Sequence, residues 1–165
     1  MAQQSEVLVI PVDPFDLTTG LLVPQVAQRI RQFALDNYTE ADPQFFASTI
    51  MARLFAGDPN VVVVALLEPT TAKVVGHGVA TIETEGRRKW VFISQCKADG
   101  NVGDAIKRGI VWADQWGRER GATHMVMATP RSDTAWRRRY GFDVMRHLMI
   151  RPLGDLPAAT EEVEG

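Results

Sequence analysis

The chain has 165 residues, about the length of one domain, with 45% apolar and 23% charged residues, which excludes a collagen-like or wholly disordered protein. A net charge of −2 gives no electrostatic case for nucleic-acid binding by the whole molecule. One cysteine, Cys96, excludes an internal disulfide framework and a cysteine-only zinc site, and three scattered histidines (His77, His124, His147) make no metal centre.

No stretch approaches the ~20 apolar residues needed to span a bilayer, and the start Met1-Ala-Gln-Gln-Ser-Glu has neither the basic charge nor the apolar run of a secretory leader. The expectation is a cytoplasmic protein with no membrane partner.

Val7–Val12 reads as a first strand, ended by the segment from Pro14. Pro24 suits a first helical turn, after which Val26, Ile30, Phe33 and Ala34 recur at helical spacing. Asn37 to Asp42 is a polar break. Asp42-Pro43 has the form of a cap followed by a first-turn proline, and Phe46, Ile50 and Leu54 then fall four apart until Gly57 closes the helix.

Three strands follow. Val61–Leu67 is apolar throughout, as in a strand covered on both faces. Val74–Glu83 carries Gly76 and Gly78, which signal a close approach or a bulge, and Lys89–Gln95 follows a turn at Gly86. The short connections make these strands antiparallel neighbours.

From Val102 the period becomes helical, with Val102, Ile106, Ile110 and Ala113 in one stripe, Trp112 and Trp116 beside it, and Gly121 as the stop. His124–Ala128 is a further strand, parallel to Lys89–Gln95 because a helix joins them. Ser132-Asp133 caps a short helix ended by Gly141, and Phe142–Ile150 is the last strand. The physical conclusion is a single α/β domain, a mixed and mostly antiparallel sheet with helices on both faces.

The charge is unevenly placed. Residues 153–165 hold four of the 20 acids and no base, so the remaining body carries 18 bases against 16 acids, a charge of +2. Six arginines lie between Arg131 and Arg151. The division is a body of residues 1–152 and an acidic tail of 153–165, whose plainest role is a solvated terminus.

This order of elements resembles the GNAT superfamily of acyl-CoA-dependent N-acyltransferases. The likeness is carried by Trp90-Val-Phe-Ile-Ser-Gln-Cys-Lys-Ala-Asp-Gly-Asn-Val-Gly-Asp-Ala-Ile and by Thr134-Ala-Trp-Arg-Arg-Arg-Tyr-Gly-Phe. It implies acetyl-CoA as co-substrate, no metal, and direct acetyl transfer to an amine of a small molecule or protein. The family's cofactor loop, Gln/Arg-x-x-Gly-x-Gly/Ala, matches best over Ala98, Asp99, Gly100, Asn101, Val102 and Gly103, followed by Asp104. The match is degenerate: Ala98 replaces Gln or Arg, and Asn101 replaces the first glycine.

The chemistry of such a loop is general, since unpaired N–H groups at a helix start bind a pyrophosphate. The carboxylate of Asp104 would oppose it unless Lys97, Lys107 or Arg108 offset the charge. By the same resemblance, Ile93 and Gln95 offer backbone groups to the pantetheine arm, Met127 to Thr129 line the facing side, and Arg131 and Arg137 lie on the phosphate side. Arg137, Arg138 and Arg139 also read as a solvated helix face. Cys96 falls near the cofactor mouth, or is a partly buried bystander.

The usual tyrosine, five positions before Phe142, is here Arg137. Tyr140 is the substitute acid, or simply a packed aromatic. The base candidates are Glu83, with Glu85 beside it, and His77, which shares a strand face with Glu83 so that both could enter one cleft. Their ordinary alternatives are hairpin charges and a hydrogen-bonded structural histidine. The acceptor side falls to Asn37–Phe46. Homodimerisation, common in the family, is open, and so is a second reading in which the fold survives as a catalytically decayed binding or structural module.

Overall fold

The computed structural model describes residues 6–37, 43–100, 104–127 and 133–143. Strand β1 (Leu8–Pro11) is followed by a loop, one 3-10 turn (Thr19–Leu22), and helices α1 (Val23–Asn37) and α2 (Pro43–Phe55). Strands β2 (Val61–Glu68), β3 (Lys73–Glu85) and β4 (Arg88–Ala98) come next, then α3 (Ala105–Glu119), β5 (His124–Met127) and α4 (Asp133–Tyr140). The chain divides into two compact units, residues 1–130 with the sheet and α1–α3, and residues 131–165 with α4. The expected last strand over Phe142–Ile150 falls almost wholly outside the described residues, as does the acidic tail.

The sheet has the order β1-β2-β3-β4-β5, antiparallel except for the β4–β5 pair. Tight turns join β2 to β3 and β3 to β4, while α3 carries the chain from β4 to a parallel β5, as the connection lengths require. Two bulges interrupt the ladders. Val75 is the extra residue where Leu66 and Leu67 pair with Gly76 and Val74, and Ser94 is extra where Val79 and Ala80 pair with Gln95 and Ile93.

Both faces of the sheet are covered because its central strands are apolar at successive positions. The first six residues of β2 are buried. Val63 and Ala65 point to one side, into a core with Val26 and Ile30 of α1 and Ala47, Ile50 and Leu54 of α2. Val62 and Val64 point to the other, with Val91 and Ile93 of β4 and Trp116 of α3. The α3 stripe is rotated from its expected position: Ala105, Ala113, Trp116 and Gly117 are buried, while Ile106 and Ile110 are only half-buried. Gly117 explains the shift. A Cβ there would collide with Val91 Cγ2, so the glycine brings the helix backbone down onto β4.

Candidate functional site

Among the described residues, the two partnerships of β4 differ in length. Its pairing with β5 covers Trp90↔His124 to Ile93↔Met127, while its pairing with β3 continues to Gly76↔Ala98. From Ser94 onward, the edge of β4 away from β3 has no strand partner among the described residues. The Ser94 bulge follows the last described β4–β5 pair, with Ser94 Oγ 3.4 Å from Val79 O. Of the two residues expected to offer backbone there, Ile93 belongs to the last described pair with β5 and Gln95 lies beyond it. Met127 ends the described part of the facing side.

Beyond β4, Asp99 is already engaged. Its N–H donates to Val75 O at 2.8 Å, and its carboxylate accepts from Arg29 Nη1 and Nη2 at 3.2 and 3.0 Å. The Arg29 hydrogen bonds hold the Asp99 carboxyl below its usual pKa, so it stays charged. This corrects the expectation that Asp99 lends backbone to a phosphate: its N–H already serves the sheet. Gly100 has open space on its Cβ side. Asn101, Val102 and Gly103 lie outside the described residues. Asp104 precedes α3 without a side-chain capping bond, and its carbonyl accepts from Arg108 N.

The neighbouring cations are mostly paired. Lys97 lies 3.7 Å from Asp36, and Arg108 lies 3.0 Å from Glu6. Lys107, exposed in the first turn of α3, has no ion pair among the described residues. Backbone and charge therefore give different answers for an anionic, pantetheine-bearing ligand. The open edge of β4 beside a helix start fits such a group, whereas the carboxylates of Asp99 and Asp104 do not favour it.

His77 is 1% exposed. Gln95 Nε2 donates to Ile30 O at 3.2 Å, so its Oε1 faces His77, whose Nε2–H donates to it at 2.8 Å. Phe33 packs edge-on against the imidazole at 5.9 Å. Burial, with smaller contributions from the Arg29 and Lys97 charges, lowers the His77 pKa to about 4 despite the Gln95 bond. The ring is neutral near pH 7. Nδ1 is left as a buried acceptor without a partner.

Glu83 is exposed near the other end of β3 and accepts from Thr81 Oγ1 at 2.8 Å. It lies six positions along the strand from His77, roughly 20 Å. The structure does not bring the two into one cleft: His77 ties β3 and β4 to α1, and Glu83 stands at the hairpin end. That is a correction to the shared-face argument, which ignored distance along the strand.

In the second unit, Tyr140 packs on Trp136 with ring centroids 5.1 Å apart, and Trp136 meets Phe142 edge-on at 6.1 Å. Arg137 Nη2 lies 3.3 Å from Asp143 Oδ1. Cys96 lies on the α3 side of β4, and burial pushes its thiol up to about 11, so it is protonated and unreactive near neutral pH.

The Arg29–Asp99 clamp and the chain His77–Gln95–Ile30 were not found from sequence. Their partners are 70, 18 and 65 positions apart, and no local motif announces such pairs. Among the described residues there is no group of His, Cys, Asp and Glu able to hold a metal ion, and no helix long and apolar enough to cross a membrane.

No protein-family model matches the sequence, and no curated protein sequence does. Solved structures do match. Glucosamine-6-phosphate N-acetyltransferase from Arabidopsis thaliana aligns over 89% of this chain and 98% of its own, at TM-score 0.65 and 10% identity. An aminoglycoside N-acetyltransferase solved with CoA covers 92% of this chain and 97% of its own, at TM-score 0.67 and 12% identity. A Pyrococcus furiosus protein described as an acetyl transferase covers 90% and 100%, at TM-score 0.68 and 12% identity. At these identities the likeness is one of fold: the chain has the GNAT fold, as its order of elements led one to expect.

Proposed function

We propose that the protein is an acyl-CoA-dependent N-acetyltransferase that moves acetyl from acetyl-CoA to an amine of a small molecule or protein. The observation that carries this reading is the edge of β4 that, among the described residues, has no strand partner from Ser94 to Ala98, next to the start of α3. It supplies a row of backbone donors and acceptors for an extended amide-bearing arm, and beyond it N–H groups for a pyrophosphate. The fold shared with acetyltransferases, one of them solved with CoA, supports it.

In this reading the backbone of Ile93 and Gln95 positions the arm. The loop from Gly100 to Asp104 is the expected border of the pyrophosphate, with Lys107 as its cation. The thioester supplies an acyl carbon already activated for attack. The amine nitrogen bonds to that carbon, the carbon–sulfur bond breaks, and the thiolate takes up a proton. Glu83, the exposed carboxylate of β3, or water accepts the proton of the amine, and solvent protonates the leaving sulfur. His77 takes no part, being neutral, buried and bonded to Gln95.

Calorimetric titration of acetyl-CoA into the folded protein tests the reading. Saturable heat is expected, and no heat at high-micromolar ligand would overturn it. A thiol-release assay over a set of amines then tests turnover.

A second reading, a GNAT-fold binding or structural module with a decayed site, is favoured by the engaged Asp99 and by the pairing of Arg137 with Asp143. Cofactor binding without thiol release above background would favour it, with oligomerisation, including a homodimer, as its natural setting.

A further inference from the structure

Helix α1 reaches the end of β4 twice. Arg29 grips the carboxylate of Asp99 at 3.2 and 3.0 Å, and Asp36 lies 3.7 Å from Lys97. Arg29 and Asp36 stand about two turns apart on one face of the helix, and the two pairs have opposite sense. Asp99 is fixed by its backbone as well, since its N–H donates to the carbonyl of Val75, the extra residue of the β3 bulge.

That hold matters because of where Asp99 stands. It follows β4 directly and immediately precedes the loop from Gly100 to Asp104. Its side chain remains 43% exposed, so its charge is open to whatever approaches that loop. Among the described residues only Arg29 forms an ion pair with it; the charges of Lys73 and Lys97 favour its ionised form more weakly. Lys97 and Arg108 are matched by Asp36 and Glu6, and Asp104 adds a second carboxylate at the far end of the loop. Without Arg29, a phosphate approaching here would meet an unpaired carboxylate at each end of the loop.

We infer that Arg29 is the counter-charge that lets the loop after β4 take an anionic, phosphate-bearing ligand. It is a positioning residue that acts through Asp99 and does not touch the ligand. The inference rests on the donor reading above and deepens it. A clamp that served the fold alone would behave differently: breaking it from either side would loosen the end of β4 and weaken binding in both cases. For a counter-charge the two substitutions have opposite signs. Arg29→Ala leaves the carboxylate unpaired and repels the ligand, whereas Asp99→Asn leaves the guanidinium unpaired and attracts it.

The test is calorimetric titration of acetyl-CoA at low salt into the native protein, Arg29→Ala, Asp99→Asn, the double variant and Arg29→Lys, each checked for folding by thermal unfolding. Relative to the native protein, binding about fivefold weaker is expected for Arg29→Ala and about fivefold tighter for Asp99→Asn, both effects shrinking as salt is raised. The double variant and Arg29→Lys keep the native charge balance and should bind within about twofold of the native protein. Asp99→Asn retains the backbone bond to Val75 O and an oxygen to accept from Arg29, so its result stands even if Arg29→Ala fails to fold. Native affinity in Arg29→Ala, binding by Asp99→Asn no tighter than native, or a double variant or Arg29→Lys as weak as Arg29→Ala would each overturn the inference and leave the donor reading standing. Absence of heat with the native protein overturns the donor reading and this inference together.

Discussion

Arg29 holds Asp99 with both terminal guanidinium nitrogens, at 3.2 and 3.0 Å, across 70 positions of sequence. The same guanidinium donates from Nη2 to Val74 O at 2.9 Å. One side chain of α1 thereby fastens the start of β3 and the residue just after β4, where the chain leaves the sheet for α3. The fork geometry of arginine suits this double grip in a way lysine cannot reproduce.

Removing that grip is expected to loosen the end of β4. The Asp99 side chain is 43% exposed, so solvent screening limits the pair to about 1 kcal/mol. The depressed Asp99 pKa fixes the sign of its pH dependence. The contribution is present above the ordinary carboxylate range and is lost as pH falls through the folded-state value. Denaturant unfolding of Arg29→Ala, Asp99→Asn and the double variant should give a coupling of about 1 kcal/mol at pH 7. A coupling indistinguishable from zero would show that the contact contributes nothing.

His77 gives a second, stronger pH dependence. Its folded pKa of about 4 lies below the ordinary 6.5, so between those values the unfolded chain binds the proton more readily. Stability therefore falls as pH drops from about 6.5 toward 4, by on the order of 3 kcal/mol. The cations Arg29 and Lys97 act in the same direction as burial. His77→Leu leaves Gln95 Oε1 without its donor and lowers stability at pH 7 by about 1–3 kcal/mol. What identifies the histidine is the slope, which should flatten over this window in the variant. The His77 imidazole, identified by the resonance that His77→Leu removes, titrating near 6.5 in the folded native protein would contradict the assignment.

The elements were legible because each rests on local signals: alternation or apolar runs for β2 to β4, a four-residue spacing in α1 and α2, and glycine stops after α2, α3 and α4. The parallel relation of β4 and β5 followed from the length of the connection. The rotation of α3 was not legible, because it depends on Gly117 meeting Val91, a contact between residues 26 positions apart. In the candidate site, strand parity placed His77 correctly on one face but said nothing of Phe33 or Gln95, which make that face a core. The cofactor-loop pattern picks out the segment after β4, yet could not reveal that Asp99 N–H already serves Val75 O.

Lys107 should matter for donor binding out of proportion to its exposure. Lys97 and Arg108 flank the same helix start but are paired with Asp36 and Glu6, which leaves Lys107 as the first-turn cation of α3 without an acidic partner among the described residues. If it meets a phosphate, the contact is charge-assisted, and Lys107→Ala should weaken acetyl-CoA binding by about tenfold. The loss should shrink as salt is raised, because the site faces solvent. Lys89→Ala, near the β3–β4 hairpin, should bind as the native protein does. Equal affinities for native and Lys107→Ala at low salt would remove this lysine from the site.

Gly117 and Gly109 lie two helical turns apart on α3 and should respond oppositely to the same substitution. A methyl on Gly117 strikes Val91 Cγ2, a side chain 2% exposed and packed in the core with Ile93 and Trp116, so it has little room to yield. Overpacking of this kind costs about 1–3 kcal/mol, against which the better helix propensity of alanine returns at most about 1 kcal/mol. Gly109→Ala meets only an ordinary contact and keeps the propensity gain. Thermal unfolding should therefore place Gly117→Ala below the native protein and Gly109→Ala at or above it, each by a few degrees. If the two variants melted together, the close approach of α3 to β4 at Val91 would not be what sets the rotation of the helix.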